Sequence, residues 1–315
     1  MDNIQRFDTA IANLSPAIAS LFSALSSEEK AQIREIRLRT EKPVIAVTSR
    51  GISFIMPSGR LTCVYSDLAV RAVEKDIQDT FHRLCGYSVY SFKDAINKGF
   101  ITVKGGHRAG VAGTAATDDS QVTAVRDISC INLRIAREIK GAADGVFNHA
   151  FANGLEDIII AGPPSSGKTT VLRDLARQLS GPERGIFAKT FVCDERGELG
   201  AVYSGIAQND LGINSDIITA YPKSEGIIIG IRSFSPDIIV CDEIATREEA
   251  EAVKSGLGCG IRFALSIHAE NEEDLRTKPI MKSLLSTGNF KKVFLLSSKN
   301  ISRIEKCIPA GDLLG

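Results

Sequence analysis

The stretch GPPSSGKTT, residues 162–170, constrains the fold of this 315-residue chain more than any other segment. It fits the pattern G-x-x-x-x-G-K-[ST], in which glycines let the backbone curl so that successive N–H groups face one phosphate. The apolar run DIIIAG precedes the loop, and VLRDLARQL, with helical spacing, follows it. A phosphate-binding loop between a strand and a helix predicts a parallel α/β domain that binds a nucleoside triphosphate.

The individual residues of this loop have distinct expected roles. Lys168 is predicted to reach the β- and γ-phosphates, and the Thr169 hydroxyl to bind Mg²⁺. The helix that starts here points its positive end at the same anion. We therefore expect a nucleoside triphosphate and Mg²⁺ as cofactors. The loop recognises phosphates and not the base, so ATP is assumed on its availability and on the resemblance given below. The expected nucleotide-binding residues are Gly162, Pro163, Pro164, Ser165, Ser166, Gly167, Lys168, Thr169 and Thr170.

Three more apolar runs after residue 150 end in polar clusters. They are IFAKTFVCDE, PDIIVCDE and IRFALSIHAE, and they alternate with helical segments. Alternating strands and helices predict a parallel sheet, and ligands of such sheets lie outside the carboxyl ends of the strands. We therefore expect residues 144–315 to form a P-loop NTPase domain, a RecA/AAA-like parallel sheet with helices on both faces, whose polar clusters converge.

The first half of the chain predicts a smaller α+β domain, residues 1–143. IQRFDTAIANL and SPAIASLFSAL have helical spacing, and Ser15 followed by Pro16 is typical of a helix start. DLAVRAVEKDIQDTFHRL predicts a longer amphipathic helix that opens with an Asp67 cap. The predicted strands are EIRLRT, PVIAV, ISFIM, GFITVKGGHRAGVAGTAA and ISCINLRI.

The pair Asp242 and Glu243 closes the strand PDIIVCDE. In P-loop enzymes an acid at this point holds Mg²⁺, and we expect Asp242 to do so through water. Glu243 is then placed to orient or deprotonate the attacking water, an effect typically worth ~10²–10⁴ in rate. The alternative is that the pair caps the helix TREEAEAV, but the neighbouring phosphate loop favours hydrolysis.

Two further clusters give weaker signals. In CDERGEL, the acids Asp194, Glu195 and Glu198 could position water or Mg²⁺, or could pair with Arg196 and cap a turn. His268 ends the fourth strand, where a neutral imidazole at the γ-phosphate edge could report whether that phosphate is present. A structural histidine is the alternative for this position.

A positive charge is needed against the charge that develops on the γ-phosphate, and P-loop enzymes often supply it as an arginine from a neighbouring subunit. Alternation places Arg134 on the strand face opposite Ile131 and Leu133. Each candidate could equally be a surface or ion-pair residue. The candidates are Arg232, Arg108, Arg126, Arg134 and Arg137.

Composition excludes several classes of protein. Lys+Arg and Asp+Glu are equal at 38, so no net charge attracts the chain to nucleic acid or anionic lipid. The basic segment 30–50 is typical of a solvated face. The seven cysteines are scattered and form no C-x-x-C pair, and several, such as Cys193 and Cys241, lie in apolar runs that suit buried thiols in a reducing compartment. The first residues, MDNIQRFDTAIANL, predict no secretory signal, and no apolar run approaches the ~20 residues of a membrane span. We expect a soluble, cytoplasmic protein.

The order of the motifs resembles the ATPases of type II and type IV secretion, with GPPSSGKT, CDERGE, SPDIIVCDE and SIHAEN in place of their four boxes. The four-cysteine zinc insert of some type II members is absent. More narrowly, GHRAGVAGTA, AQNDLGINSDI and PKSEGIIIGIRSFSPDIIVCDEI resemble the stage III sporulation protein AA family of endospore-forming bacteria.

This resemblance implies an ATPase at the mother-cell face of a channel between mother cell and forespore. It implies a ring, expected to be a hexamer, docked on membrane proteins of the channel complex without inserting into the membrane itself. It also implies that ATP lies between the two domains, with arginines such as Arg108, Arg134 and Arg232 contributed across that junction or between subunits.

Two other functions stay open at this point. A nucleic-acid-dependent ATPase would use the basic segment, although the lack of Trp and the 6% aromatic content argue against base stacking. A nucleotide-gated scaffold with little turnover is the other alternative. A small-molecule kinase would need an arginine-rich lid, for which the sequence offers no convincing segment.

Overall fold

The computed structural model of the chain describes residues 2–97, 99–118 and 121–314. These residues form two compact units that divide between Glu138 and Ile139. Each unit contains its own seven-stranded sheet. The sequence predicts a boundary after residue 143 between two domains that fold on their own. That boundary stays a prediction.

The first unit combines an antiparallel sheet with short helices. Its helices are α1 (Asn3–Ile11), α2 (Pro16–Ser23), α3 (Ser27–Gln32), α4 (Glu74–Leu84) and α5 (Lys93–Asn97). Its strands are β1 (Ile33–Arg39), β2 (Lys42–Pro43), β3 (Ile45–Thr48), β4 (Gly51–Ile55), β5 (Leu61–Thr62), β6 (Arg71–Ala72), β7 (Phe100–Val103), β8 (His107–Asp118) and β9 (Gln121–Arg134). The sheet order is β5-β4-β3-β1-β9-β8-β7, and β2 pairs with β6 in a separate ribbon.

One face of this sheet lies against the helices. Ile36 and Leu38 of β1 are buried in one cluster with Phe7 of α1, Phe22 of α2 and Ile77 of α4. Because neighbouring residues of a strand point to opposite faces, the side chains between these buried positions lie on the other face. Alternation along β1 therefore fixes which face of the sheet is covered.

The helix predicted from Asp67 begins later than expected. Residues 67–73 are extended or turned, and α4 starts only at Glu74. The carbonyl oxygen of Val70 accepts from the Val44 N–H, its own N–H donates to the Ile55 carbonyl oxygen, and Ala72 pairs with Lys42 of β2. The prediction of an Asp67 cap was wrong because pairing with distant strands overrides local helical spacing in this segment.

The second unit is a doubly covered, mostly parallel sheet. Its helices are α6 (Asp144–Ala150), α7 (Lys168–Ser180), α8 (Lys223–Ile229), α9 (Arg247–Gly258), α10 (Glu272–Thr277) and α11 (Pro279–Leu285), and a π-helical turn covers Gly230–Phe234. Its strands are β10 (Ile158–Gly162), β11 (Thr190–Asp194), β12 (Ser215–Thr219), β13 (Ile238–Cys241), β14 (Arg262–His268), β15 (Lys292–Leu296) and β16 (Ile304–Pro309). Their order is β12-β11-β13-β14-β10-β15-β16, and β16 alone runs antiparallel to its neighbour.

The central strands of this sheet are buried on both faces, as continuous apolar runs predict. Ile159 of β10 packs in one cluster with α9 and α11, whereas Ile158 and Ile160 pack in the other with α7. The four predicted strands are confirmed as β10, β11, β13 and β14. The strands β12, β15 and β16 were not predicted. Of these, β12 lies half-exposed at the edge of the sheet and β16 is antiparallel, so neither has the pattern of a buried parallel strand. The predicted P-loop NTPase fold is confirmed.

Candidate functional site

The loop that follows β10 has the backbone curvature that a phosphate requires. Ser165 and Gly167 both have positive φ, at 61° and 97°, and α7 begins at Lys168. Such turns direct consecutive N–H groups into one concavity. A Cβ at position 167 would lie 2.8 Å from the backbone nitrogen of Ser302, so close packing as well as φ requires glycine there.

Lys168 lies across the mouth of this loop. Its Nζ donates to the carbonyl oxygens of Gly162 and Pro163, both at 2.8 Å. Burial lowers the pKa of Lys168, and the nearby carboxylates of Asp242 and Glu243 oppose that shift. The amine therefore sits between the loop carbonyls and the acids of the neighbouring strand, where a phosphate group would offer it a stronger partner.

Thr169 and Asp242 meet as the sequence predicts for a magnesium site. The Thr169 hydroxyl donates to Asp242 Oδ2 at 2.5 Å. The other oxygen of Asp242 accepts from the Ser266 hydroxyl, which is fully buried. Hydroxyl and carboxylate oxygens are the ligands that Mg²⁺ prefers, and this ion usually takes one or two of them beside phosphate oxygens. The residues present therefore fit the ion.

Glu243 has an unusual backbone conformation and is held by Ser266 and Arg196. Its φ is 59°, a left-handed conformation that costs about 1–3 kcal/mol for a residue with a side chain. Its N–H donates to Ser266 Oγ at 2.8 Å, and its carboxylate lies 2.6 Å from the Arg196 guanidinium. The helix that follows is capped by Thr246 and Glu249, so Glu243 is not needed as a cap. Its strain therefore points to function.

Lys223 is a site residue that the sequence analysis did not identify. Its side chain is only 7% exposed, and its Nζ donates to the carbonyl oxygen of Glu243 at 2.5 Å. The same nitrogen lies 3.6 Å from Glu195 and 3.4 Å from Glu249. Lys223 therefore connects the ends of β11 and β13 to the start of α9. A lysine near the start of a short helix gives no sequence signal for this role.

The acidic residues Asp194 and Glu198, which close β11 and follow it, make different contacts. Asp194 is buried and accepts from the backbone N–H groups of Glu198 and Gly200, both at 2.8 Å. Burial raises its pKa against the lowering effect of these bonds. Asp194 thus caps the turn, the structural alternative that the sequence left open. The backbone of Glu198 is held by Arg173 of α7, which donates to its carbonyl oxygen at 2.6 Å, and its catalytic role stays a prediction.

His268 lies beside the phosphate loop. It ends β14 and is directly paired with Gly162 in the register of the two parallel strands. Its Nε2 is 3.6 Å from Glu270, and its side chain is partly exposed. His268 and Glu243 both line a cavity of about 620 Å³ that extends toward Lys254. The position suits the predicted sensing role, which stays a prediction.

The structure does not bring Arg232 to the phosphate loop of its own unit. The segment from α8 to Phe234 begins beside Glu243, through Lys223, at the carboxyl ends of the strands. It finishes where Lys189, just before β11, donates to the Ser235 carbonyl oxygen. Arg232 therefore lies near the amino ends of the strands, on the side of the sheet away from the phosphate loop, and its side chain is exposed.

Arg108 and Arg134 belong to the first unit. They face each other on β8 and β9, and the Arg108 guanidinium stacks 3.6 Å from the ring centroid of Phe100. Ile131 and Leu133 are buried while Arg134 is exposed, as alternation predicts. Both arginines lie on the face away from the helices, and their predicted catalytic role stays a prediction.

Sequence comparison establishes the family. The model of the family described as "Sporulation stage III, protein AA" matches residues 8–306. The chain belongs to this family. It is 34% identical over 289 residues to the stage III sporulation protein AA of Bacillus subtilis (strain 168), an alignment that covers 91% of this chain and 90% of that protein.

Solved structures with a similar fold include one named as an ATPase and one named as a pilus retraction motor. The chain is similar to the Yersinia pseudotuberculosis ATPase DotB, with a TM-score of 0.51 and 14% identity over 84% of this chain and 70% of that one. It is also similar to the pilus retraction motor PilT with bound ADP, with a TM-score of 0.51 and 14% identity over 84% of this chain and 74% of that one. At such identities these likenesses establish the fold.

This member of the sporulation protein AA family therefore has a P-loop NTPase fold like that of these two proteins. In this member, Lys168, Thr169, Asp242, Glu243 and His268 lie around the phosphate loop as the sequence predicted. Within residues 2–97, 99–118 and 121–314, no helix is both long and apolar enough to cross a membrane.

Proposed function

We propose that this chain is a Mg²⁺-dependent ATPase that acts as a ring at the cytoplasmic, mother-cell face of a membrane channel complex during sporulation. The strongest support is the hydrogen-bonded series from Thr169 through Asp242 and Ser266 to Glu243, which borders the phosphate loop. Family membership supports the sporulation context. The fold shared with a protein named as a pilus retraction motor supports a mechanical use of the nucleotide.

The site residues divide the chemistry between them. The N–H groups of the loop and Lys168 hold the phosphates, and Mg²⁺ held by Thr169 and Asp242 would supply positive charge against the developing phosphate charge. Glu243 takes a proton from the attacking water, for which its carboxylate must share or leave Arg196. His268, paired with the strand end that opens the loop, then senses the γ-phosphate.

The ring and its partners are part of the same proposal. Arg108 and Arg134 lie on the exposed sheet face of the first unit, from which a neighbouring subunit could offer them to a bound nucleotide. Arg232 is exposed at the opposite side of its own sheet from the phosphate loop, so it could act only on a neighbour's site. Membrane proteins of the channel complex would anchor the ring, which does not itself enter the membrane.

Substitution of Glu243 tests the hydrolysis step. We expect Glu243→Gln to keep ATP binding and to lower phosphate release by ~10²–10⁴. Glu248→Gln, an exposed acid on α9, is the matched control. Phosphate release within roughly twofold of the parent protein would remove Glu243 from the mechanism. If the parent protein releases phosphate no faster than Lys168→Ala, the nucleotide-gated scaffold is favoured. If single-stranded nucleic acid stimulates phosphate release and added salt abolishes that stimulation, a nucleic-acid-dependent ATPase is favoured.

Light scattering of Glu243→Gln tests the ring. With Mg·ATP, we expect the solution mass to rise to a closed ring of about six subunits. A protein that binds ATP and stays monomeric at all concentrations would contradict assembly by nucleotide alone.

A further inference from the structure

The sheet of the first unit exposes a strongly basic face. On its three neighbouring strands β1, β9 and β8, the side chains opposite the core include Arg37, Arg39, Arg134 and Arg108, and Glu35 is the acid among them. Arg37 and Arg39 come from the basic segment of the sequence, which the proposed ATPase site does not use. Their positive charge is only partly compensated, since Glu35 lies 3.5 Å from Arg37 Nε.

A cleft of about 270 Å³ opens on this face. Arg37 and Arg39 line it on one side and the backbone of Gly99 on the other, with Asn132 and Gly110 between them. Asn132 is directly opposite both Arg37 and Gly110 in the strand registers. Because Gly110 has no side chain, its backbone forms the floor of the cleft between the surrounding arginine and asparagine side chains.

Two polar atoms at this cleft are buried without a hydrogen-bond partner among the described residues, Arg39 Nη2 and Asn132 Oδ1. Arg39 also takes part in no ion pair in the part of the chain that the structure describes. Burial lowers its pKa, and the neighbouring Arg37 lowers it further. A buried guanidinium nitrogen without an acceptor is unfavourable, so an anion placed here would satisfy its hydrogen bond and compensate the charge of the half-buried side chain.

We propose that this cleft binds a phosphomonoester group of a small molecule. The planar guanidinium fork matches phosphate oxygens, and a phosphate dianion compensates two adjacent arginines where a carboxylate compensates one. A second group of the same ligand, an N–H or O–H, donates to Asn132 Oδ1. This site lies wholly within the first unit and does not depend on whether the second unit hydrolyses ATP.

Calorimetric titration of the full-length chain with AMP tests the proposal. The Lys168→Ala background removes the main cation of the phosphate loop, so that binding there does not mask the cleft. We expect AMP to bind, and Arg39→Met to weaken it by about tenfold or more, because a charge-assisted hydrogen bond is lost. Arg50→Met, at an exposed arginine of the β3–β4 turn that does not line the cleft, leaves the affinity unchanged.

Gly110→Val gives a second test that keeps both arginines. A Cβ at position 110 meets Asn132 Cβ at 3.7 Å, an ordinary contact, so the first atom of the new side chain fits on the cleft floor without a backbone change. We expect it to weaken AMP binding by a similar factor. Failure of AMP to bind in the Lys168→Ala background, or an AMP affinity that neither cleft variant changes, would overturn the site. Equal affinity for inorganic phosphate and AMP would overturn the role of Asn132.

Discussion

Lys223→Met isolates a positioning effect at the proposed catalytic carboxylate. The substitution keeps a side chain of similar length and removes the amine that donates to the Glu243 carbonyl oxygen. It also removes the positive charge beside Glu195 and Glu249. The hydrogen bonds and ion pairs of the Lys223 amine among the described residues reach Glu243, Glu195 and Glu249, and none of these belongs to the phosphate loop. We therefore expect an effect on turnover rather than on nucleotide binding.

The structure gives the size of both effects. A buried hydrogen bond to a charged donor is worth about 1.5–3 kcal/mol, and the pair with the partly exposed Glu195 adds at most about 1 kcal/mol. We therefore expect the free energy of unfolding to fall by about 2–4 kcal/mol, which lowers the melting temperature by about 4–16 °C for a unit of this size. Displacement of Glu243 by about 1 Å would lower kcat by about 10- to 100-fold.

Steady-state phosphate release and thermal melting measure these two effects on the same preparation. The kcat should fall while the KM for ATP stays within about threefold, the pattern of a group that acts only in the chemical step. Lys189→Met is the matched control, since Lys189 is more than half exposed and lies at the other edge of the sheet. A folded Lys223→Met protein with unchanged kcat, or one whose loss is entirely in ATP binding, would refute the positioning argument.

Two further predictions concern the first unit and the phosphate loop. Burial, with a smaller contribution from Arg6, lowers the pKa of His107 from 6.5 to about 4. Between these two pH values the unfolded chain binds more protons than the folded chain. The free energy of unfolding is therefore highest above pH 6.5 and falls as the pH drops below that value. Urea unfolding should show a loss of about 2 kcal/mol from pH 7 to pH 5 that His107→Gln removes. Gly167→Ala should weaken binding of a fluorescent ATP analogue at least about tenfold, because its Cβ would clash with Ser302. Gly185→Ala, also at positive φ but with no atom within 4 Å, should bind it normally.

The phosphate loop and its neighbouring strands could be predicted because their signals are local. A glycine-rich loop between an apolar strand and a helix is specified within a dozen residues, and apolar runs closed by acids mark the carboxyl ends of parallel strands. Asp242 and Thr169 are far apart in the sequence, yet parallel topology alone places them together. The turn-capping role of Asp194 was left open, because the sequence does not show which groups its oxygens accept from.

Ser266 and Lys223 were not predicted as supports of Glu243, for a different reason. Each acts through contacts between segments that are distant in the chain, and neither a buried serine in an apolar strand nor a lysine at a helix start is unusual. The error at Asp67 has the same origin: helical spacing there is overridden by backbone pairing with Val44 and Ile55.

The sequence by itself determined the P-loop domain, the order of its central strands along the chain and the residues that meet at their carboxyl ends. These features depend on local backbone conformation and on the rule that the carboxyl ends of parallel strands lie at the same side of the sheet. The tertiary structure decided which side chains hold Glu243, where Arg232 lies, and that Arg39 and Asn132 share a cleft. Those outcomes depend on hydrogen bonds and ion pairs between residues distant in sequence, which form only when the packed fold removes them from water.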